Sequence, residues 1–132
     1  PRSIMFTEDR RKIIVHSALE CGFEIIDVAT RKLERSFKLD TPAKRYRPSG
    51  FALSPDDKKM YTVFYSVDRK IDRFEVTKPQ WAIIDMDSGK IEKTVDFPKD
   101  QQVRGGRGGG LRVSPDGKHL YQFRENVNIY ST

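Results

Sequence analysis

Apolar residues recur along the chain in short alternating or continuous runs, and clusters of Gly, Pro, Asp and Ser interrupt them at close intervals. Alternation with period two, carried by β-branched and aromatic residues, marks strands. No long segment has the period of 3.6 residues that would mark an amphipathic helix. The pattern predicts strands near 3–7, 11–18, 22–28 and 32–39, then near 50–54, 58–66, 80–86 and 90–97. A last group falls near 110–114, 118–124 and 126–131, and almost no helix is expected.

Two motifs repeat. FALSPDDKKMYTV (51–63) and LRVSPDGKHLYQF (111–123) superpose without a gap, and IMFTEDRRKIIVH (4–16) is a weaker third copy with Thr7 in the place of Ser54 and Ser114. FEIIDVATRKLERSFKLD (23–40) matches WAIIDMDSGKIEKTVDFP (81–98), with Ile25, Ile26 and Asp27 set against Ile83, Ile84 and Asp85; VNIYST (127–132) looks like the opening of a third copy. Each motif reads as a hairpin. In Ser114-Pro115-Asp116-Gly117, Pro fixes φ, Asp can bond the local backbone, and Gly takes the positive φ that follows. Two hairpins in alternation give four strands per unit of roughly 45–60 residues, the sequence signature of a β-propeller blade. A two-sheet sandwich is the alternative, but it does not require the two hairpin motifs to alternate.

The expected fold is therefore all-β, a single partial β-propeller over 1–132 built from four-stranded antiparallel meanders. Blade 1 is expected at about 3–40, blade 2 at about 49–98 and an incomplete blade 3 at about 110–132, which makes about two and three-quarter blades. A propeller closes with four blades or more. The missing blades must come from a longer polypeptide or from other chains, and a first residue of Pro1 fits a fragment, a processed product or an incompletely determined sequence.

SPDDKKMY, SPDGKHLY and the IID strands resemble the YVTN-type seven-bladed propellers of bacteria. Within that group, residues 50–130 are most similar to the propeller-subunit family of the quinohemoprotein amine dehydrogenases, through GFALSPDDKKMY, the insertion ending in FEVTKPQWAIIDMDSGK, and SPDGKHLY. Phe74, Glu75, Val76 and Pro79 are the more particular part of the match. The resemblance implies a periplasmic propeller without a cofactor of its own, packed against subunits that carry haem and a quinone. The chain departs from that family in its small number of blades and in its Arg-Gly-Gly stretch, RGGRGGG (104–110).

That stretch matters because the chain is basic. Lys plus Arg number 25 and Asp plus Glu 19, a net charge of +6, which favours acidic partners without selecting nucleic acid. RGGRGGG is followed at once by a strand, and no Gly-Lys-Ser/Thr ending opens a helix, so neither a phosphate-binding P-loop nor a long disordered RNA-binding tail fits. It reads as an inter-blade connection, aligned with KRYRPSG (44–50) one blade earlier. Lys44, Arg45, Arg47, Arg104 and Arg107 then form a candidate surface for anions or acidic partners, since the planar guanidinium holds carboxylates and phosphates.

No catalytic set emerges. His16 and His119 read as strand residues, and no His-Cys cluster supports a metal or a covalent haem. Asp27 and Asp85 are repeat-equivalent, which points to a duty in turns, and Ser54 and Ser114 have no evident base. The lone Cys21 forms no internal disulfide and reads as inert, and Phe23 and Trp81 read as blade-packing aromatics. No apolar run is long enough to span a bilayer. The largest insertion, YSVDRKIDRFEVTKP (65–79), reads either as a solvated extension or as a docking element for a partner subunit.

The sequence thus predicts a non-catalytic propeller scaffold with other subunits or further blades as partners, and the resemblance implies a place for it in a periplasmic redox complex. Two other readings stay open: a propeller enzyme whose site lies in missing blades, and a stand-alone module that binds acidic ligands through its basic connections.

Overall fold

The computed structural model describes residues 3–17, 21–97, 110–123 and 126–132, and every regular element in them is a strand. β1 (Ser3–Phe6), β2 (Lys12–Ser17), β3 (Gly22–Asp27) and β4 (Leu33–Lys38) pair antiparallel in that order. β5 (Lys44–Leu53), β6 (Lys59–Arg69), β8 (Gln80–Asp85) and β9 (Lys90–Asp96) form the second meander, with β7 (Phe74–Val76) added to the far end of β6. The third sheet holds β10 (Gly110–Val113), β11 (His119–Phe123) and β12 (Val127–Ser131). The fold is all-β, and its three sheets are propeller blades, the last with three strands among the described residues.

The blades stack face to face. Ile14, Phe23 and Ile25 on blade 1 meet Met60, Ile84 and Met86 on blade 2 in one buried cluster. The opposite face of blade 2, with Ala52 and Tyr61, meets Leu111 and Leu120 of blade 3, and Trp81, Ile83, Val113 and Tyr130 close over this second cluster. Alternating side chains make this possible, because each strand of the middle blade supplies one row to each neighbour. Phe23 is packed by Phe37 and Phe51 at ring separations of 5.2 Å, and Trp81 stacks on Phe97 and meets Tyr130 edge-on at 5.1 and 4.9 Å. Both aromatics are packing residues.

The same turn chemistry closes the first hairpin of every blade. Thr7, Ser54 and Ser114 each donate their hydroxyl to the aspartate two residues on, Asp9, Asp56 and Asp116. Each hydroxyl oxygen also accepts from the backbone N–H five residues on, at 3.0, 2.9 and 2.9 Å. Each aspartate accepts a further backbone N–H, from Arg11, Lys58 and Lys118. The residue after the aspartate takes positive φ: Arg10 at 57°, Asp57 at 58° and Gly117 at 73°. In the second hairpin Asp27 accepts from Thr30 N at 2.7 Å and Asp85 from Ser88 N at 2.6 Å, the structural duty that their equivalence in the repeat suggests.

Blade 2 departs from the sequence expectation in one respect. Residues 44–50, read above as an inter-blade connection, belong to β5, which starts at Lys44 and not near position 50. The reason is the 65–79 insertion. It lengthens β6 to Arg69 and turns back as β7, so the extended half of β6 offers a free edge that captures residues 44–48. A register shift between Pro48 and Phe51, with Gly50 at φ 125°, joins this extension to the blade body.

Candidate functional site

Two places gather polar chemistry. The first is a cleft of about 420 Å³ between blades 1 and 2, lined by Thr7, Asp9, Lys12, Glu34, Arg35, Asp57 and Asp87 over the apolar floor of Ile14, Ile25 and Met86. Most of its charged groups are already engaged. Lys12 Nζ donates to Glu34 Oε1 at 2.9 Å, Arg35 donates to the carbonyls of Met86 and Asp87, and Asp57 accepts from Glu8 N at 3.1 Å. Burial raises the Asp57 carboxyl above its ordinary value, against the lowering effect of that bond. The cleft is therefore an inter-blade seam stitched by side chains.

Hydrogen bonds hold the remaining shifted aspartates below the usual carboxylate range: the backbone of Arg11 for Asp9, that of Thr30 for Asp27, and the hydroxyls of Ser54, Ser88 and Ser114 for Asp56, Asp85 and Asp116. All lie in turns or at the strand ends that lead into them. Cys21 is 1% exposed, and burial pushes its thiol up to about 12. His16 is buried in β2 against Phe23 and Phe51, whereas His119 is exposed on β11. Among the described residues no group of three His, Cys, Asp or Glu side chains comes together as a metal site, and no helix is long and apolar enough to cross a membrane.

The second place is the three-stranded extension of blade 2, formed by residues 44–48, the end of β6, and β7. Lys44, Arg45 and Arg47 lie on it, whereas Arg104 and Arg107 lie outside the described residues. The register pairs Arg45 with Val67, Val67 with Val76, and Arg69 with Phe74. Alternation therefore places Arg45, Arg47, Tyr65, Val67, Arg69, Phe74 and Val76 on one face. The other face turns inward: Ser66 and Phe64 are buried, and Tyr46 meets Phe64 edge-on at 4.8 Å. Lys44 lies 3.7 Å from Asp68 on this inner side, whereas Arg47, on the outer face, lies 3.9 Å from Asp40.

The outer face carries exposed apolar side chains beside its arginines. Phe74 and Val76 are 71% and 67% exposed, and Ile71 at the tip is fully exposed. The sequence singled out this insertion by its length. It did not reveal that residues 44–48 pair with it, although the alternation of Arg45 and Arg47 around Tyr46 is a strand signal that was legible there.

Neither a family model nor a curated protein sequence matches the chain. Solved structures do. Over 98% of its length it resembles a chain of Kuenenia stuttgartiensis hydrazine synthase, with a TM-score of 0.60 at 17% identity and 32% of that chain covered. Over 99% it resembles a Bacteroides uniformis protein named as a 6-phosphogluconolactonase, with a TM-score of 0.55 at 20% identity and 36% coverage of that protein. Over 98% it resembles a chain of the mitotic checkpoint complex, with a TM-score of 0.56 at 15% identity and 35% of that chain covered. The chain thus spans about a third of the length of these structures, and what it shares with them is the β-propeller fold.

Proposed function

We propose that the chain is part of a propeller scaffold that binds partner proteins and does no chemistry with its own residues. The observation that carries this reading is how its polar groups are used. The turn aspartates and most charged groups of the inter-blade cleft are tied into hydrogen bonds and ion pairs, while apolar side chains are left exposed at the ends and on the blade 2 extension. Similarity to a chain from a protein assembly, the mitotic checkpoint complex, is in keeping with an interaction role.

The SPDDKKMY and SPDGKHLY hairpins and the FEVTKP segment set the finer proposal. The assembly is a periplasmic redox complex of the amine dehydrogenase type, in which quinone and haem belong to other subunits. The test is purification of the native protein with everything bound to it. The expected result is a stoichiometric complex whose partner chains show haem absorbance and a redox-cycling quinone stain, with neither in this chain. Amine oxidation by this chain alone would overturn the proposal.

A further inference from the structure

Among the described residues, the blade 2 extension has no counterpart in the other blades. The sequence between the second and third strands is short in blade 1 (18–21) and in blade 3 (124–126), whereas in blade 2 it adds β7 and lengthens both neighbours. Such an addition exposes apolar area that a solvated loop would not need. Three observations bear on what it meets.

The first is charge. Residues 44–48 and 65–79 hold seven of the chain's cations against three carboxylates. The second is how those charges pair. All three carboxylates are satisfied within the extension: Asp68 by Lys44, Asp72 by Arg73 at 3.1 Å, and Glu75 by Arg73 at 2.7 Å. Arg45 and Arg69, both exposed, have no ion pair among the described residues. They lie on the same face as Val67, Phe74 and Val76, with Arg69 directly opposite Phe74 in the register. The third is rigidity. The face is carried by paired strands anchored through Tyr46 and Phe64 to the buried side, so little ordering entropy is lost on binding.

A surface with unpaired guanidinium groups beside exposed apolar side chains complements a segment carrying both carboxylates and apolar side chains. We infer that the outer face of this extension docks an extended acidic, apolar segment of a partner protein, its carboxylates on Arg45 and Arg69 and its apolar side chains on Val67, Phe74 and Val76. The inference rests on the partner-binding function proposed above and specifies the partner's chemistry.

The probe is a fluorescein-labelled heptapeptide alternating glutamate with leucine, titrated with the full chain and read by anisotropy. A lysine–leucine peptide and a single-stranded oligonucleotide serve as comparisons. The expected result is saturable binding of the acidic peptide that weakens with salt. Binding should fall at least tenfold in Arg45→Glu/Arg69→Glu and, separately, in Phe74→Ser. These side chains are exposed, so both variants should keep the wild-type thermal transition. Absence of acidic-peptide binding, equal binding of the lysine peptide, or tighter binding of the oligonucleotide would each overturn the inference, as would indifference to the substitutions. The native complex separates this result from the scaffold reading. If Arg45→Glu/Arg69→Glu keeps its partners, only the docking inference fails; if the wild type holds none, the scaffold reading fails.

Discussion

At the scale of single residues, the repeated hydroxyl–aspartate turn explains why this chain spends so many polar side chains inside hairpins. The Ser54 hydroxyl both donates to Asp56 and accepts from Lys59 N, so Ser54→Ala strands a partly buried backbone donor. A loss of about 1–2 kcal/mol is expected, read as a lower urea midpoint at unchanged slope. The aspartates also set the acid response. Asp9, Asp27, Asp56, Asp85 and Asp116 have folded values below the ordinary one, so their contribution is present above the unfolded pKa and lost as pH falls through the lowered folded values. Asp57 is raised and acts oppositely: its contribution is present below the unfolded pKa and lost as pH rises through the folded one. Five lowered groups against one raised group predict a lower urea midpoint at pH 3 than at pH 7. A higher midpoint at pH 3 would contradict this account of the turns. Cys21, buried with a thiol raised to about 12, should react with a thiol reagent at least about 100-fold more slowly in the native chain than in urea.

Elements depend on how blades touch as much as on their own hairpins. Gly89 and Arg31 occupy equivalent turn positions, each donating its N–H to the carbonyl of Asp85 or Asp27, and both have positive φ. Arginine is tolerated at one, so φ alone does not explain glycine at the other. The neighbour does: a Cβ on Gly89 would lie 2.5 Å from the Phe37 ring of blade 1. At Gly117 the nearest atom would be an ordinary 3.6 Å away, on Pro55. Gly89→Ala should therefore cost more than the roughly 1 kcal/mol expected from left-handed strain, and more than Gly117→Ala, in paired urea melts. Ile84, fully buried between blades 1 and 2, should cost about 2–5 kcal/mol as Ile84→Ala.

The hairpins were legible in the sequence because their information is local, in Ser-Pro-Asp and Ile-Ile-Asp spacing. The lengthened β5 was not, because residues 44–48 become a strand only through an edge supplied by residues 64–68, about twenty positions away. The candidate site inherits that limit. Arg45 and Arg47 were identified as basic residues of interest, but the exposed face that Arg45 shares with Phe74 is a property of the pairing.

At the scale of the whole molecule, the stack is open at both ends. Blade 1 turns Ile4, Phe6 and Leu33 outward, 59%, 56% and 58% exposed, and blade 3 does the same with Phe123, Val127 and Ile129. Repeat equivalence explains what these faces are. Ile4 and Phe6 correspond to Phe51 and Leu53, which meet the preceding blade, and Ile129 corresponds to Ile25 and Ile83, which meet the following one. Each end thus lacks the type of neighbour that the middle blade has, and β12 carries no fourth strand on its outer edge among the described residues. This chain is thus an arc of propeller blades whose end faces are suited to be covered by further blades. Sedimentation velocity on the 15.3 kDa chain alone, over a hundredfold range of concentration, tests it most directly. Association should grow with concentration and disappear when Phe6 and Ile129 are replaced by lysine, with the circular dichroism of the sheets retained. A wild-type chain that stays monomeric throughout, with the same cooperative melt as the lysine variant, would contradict it.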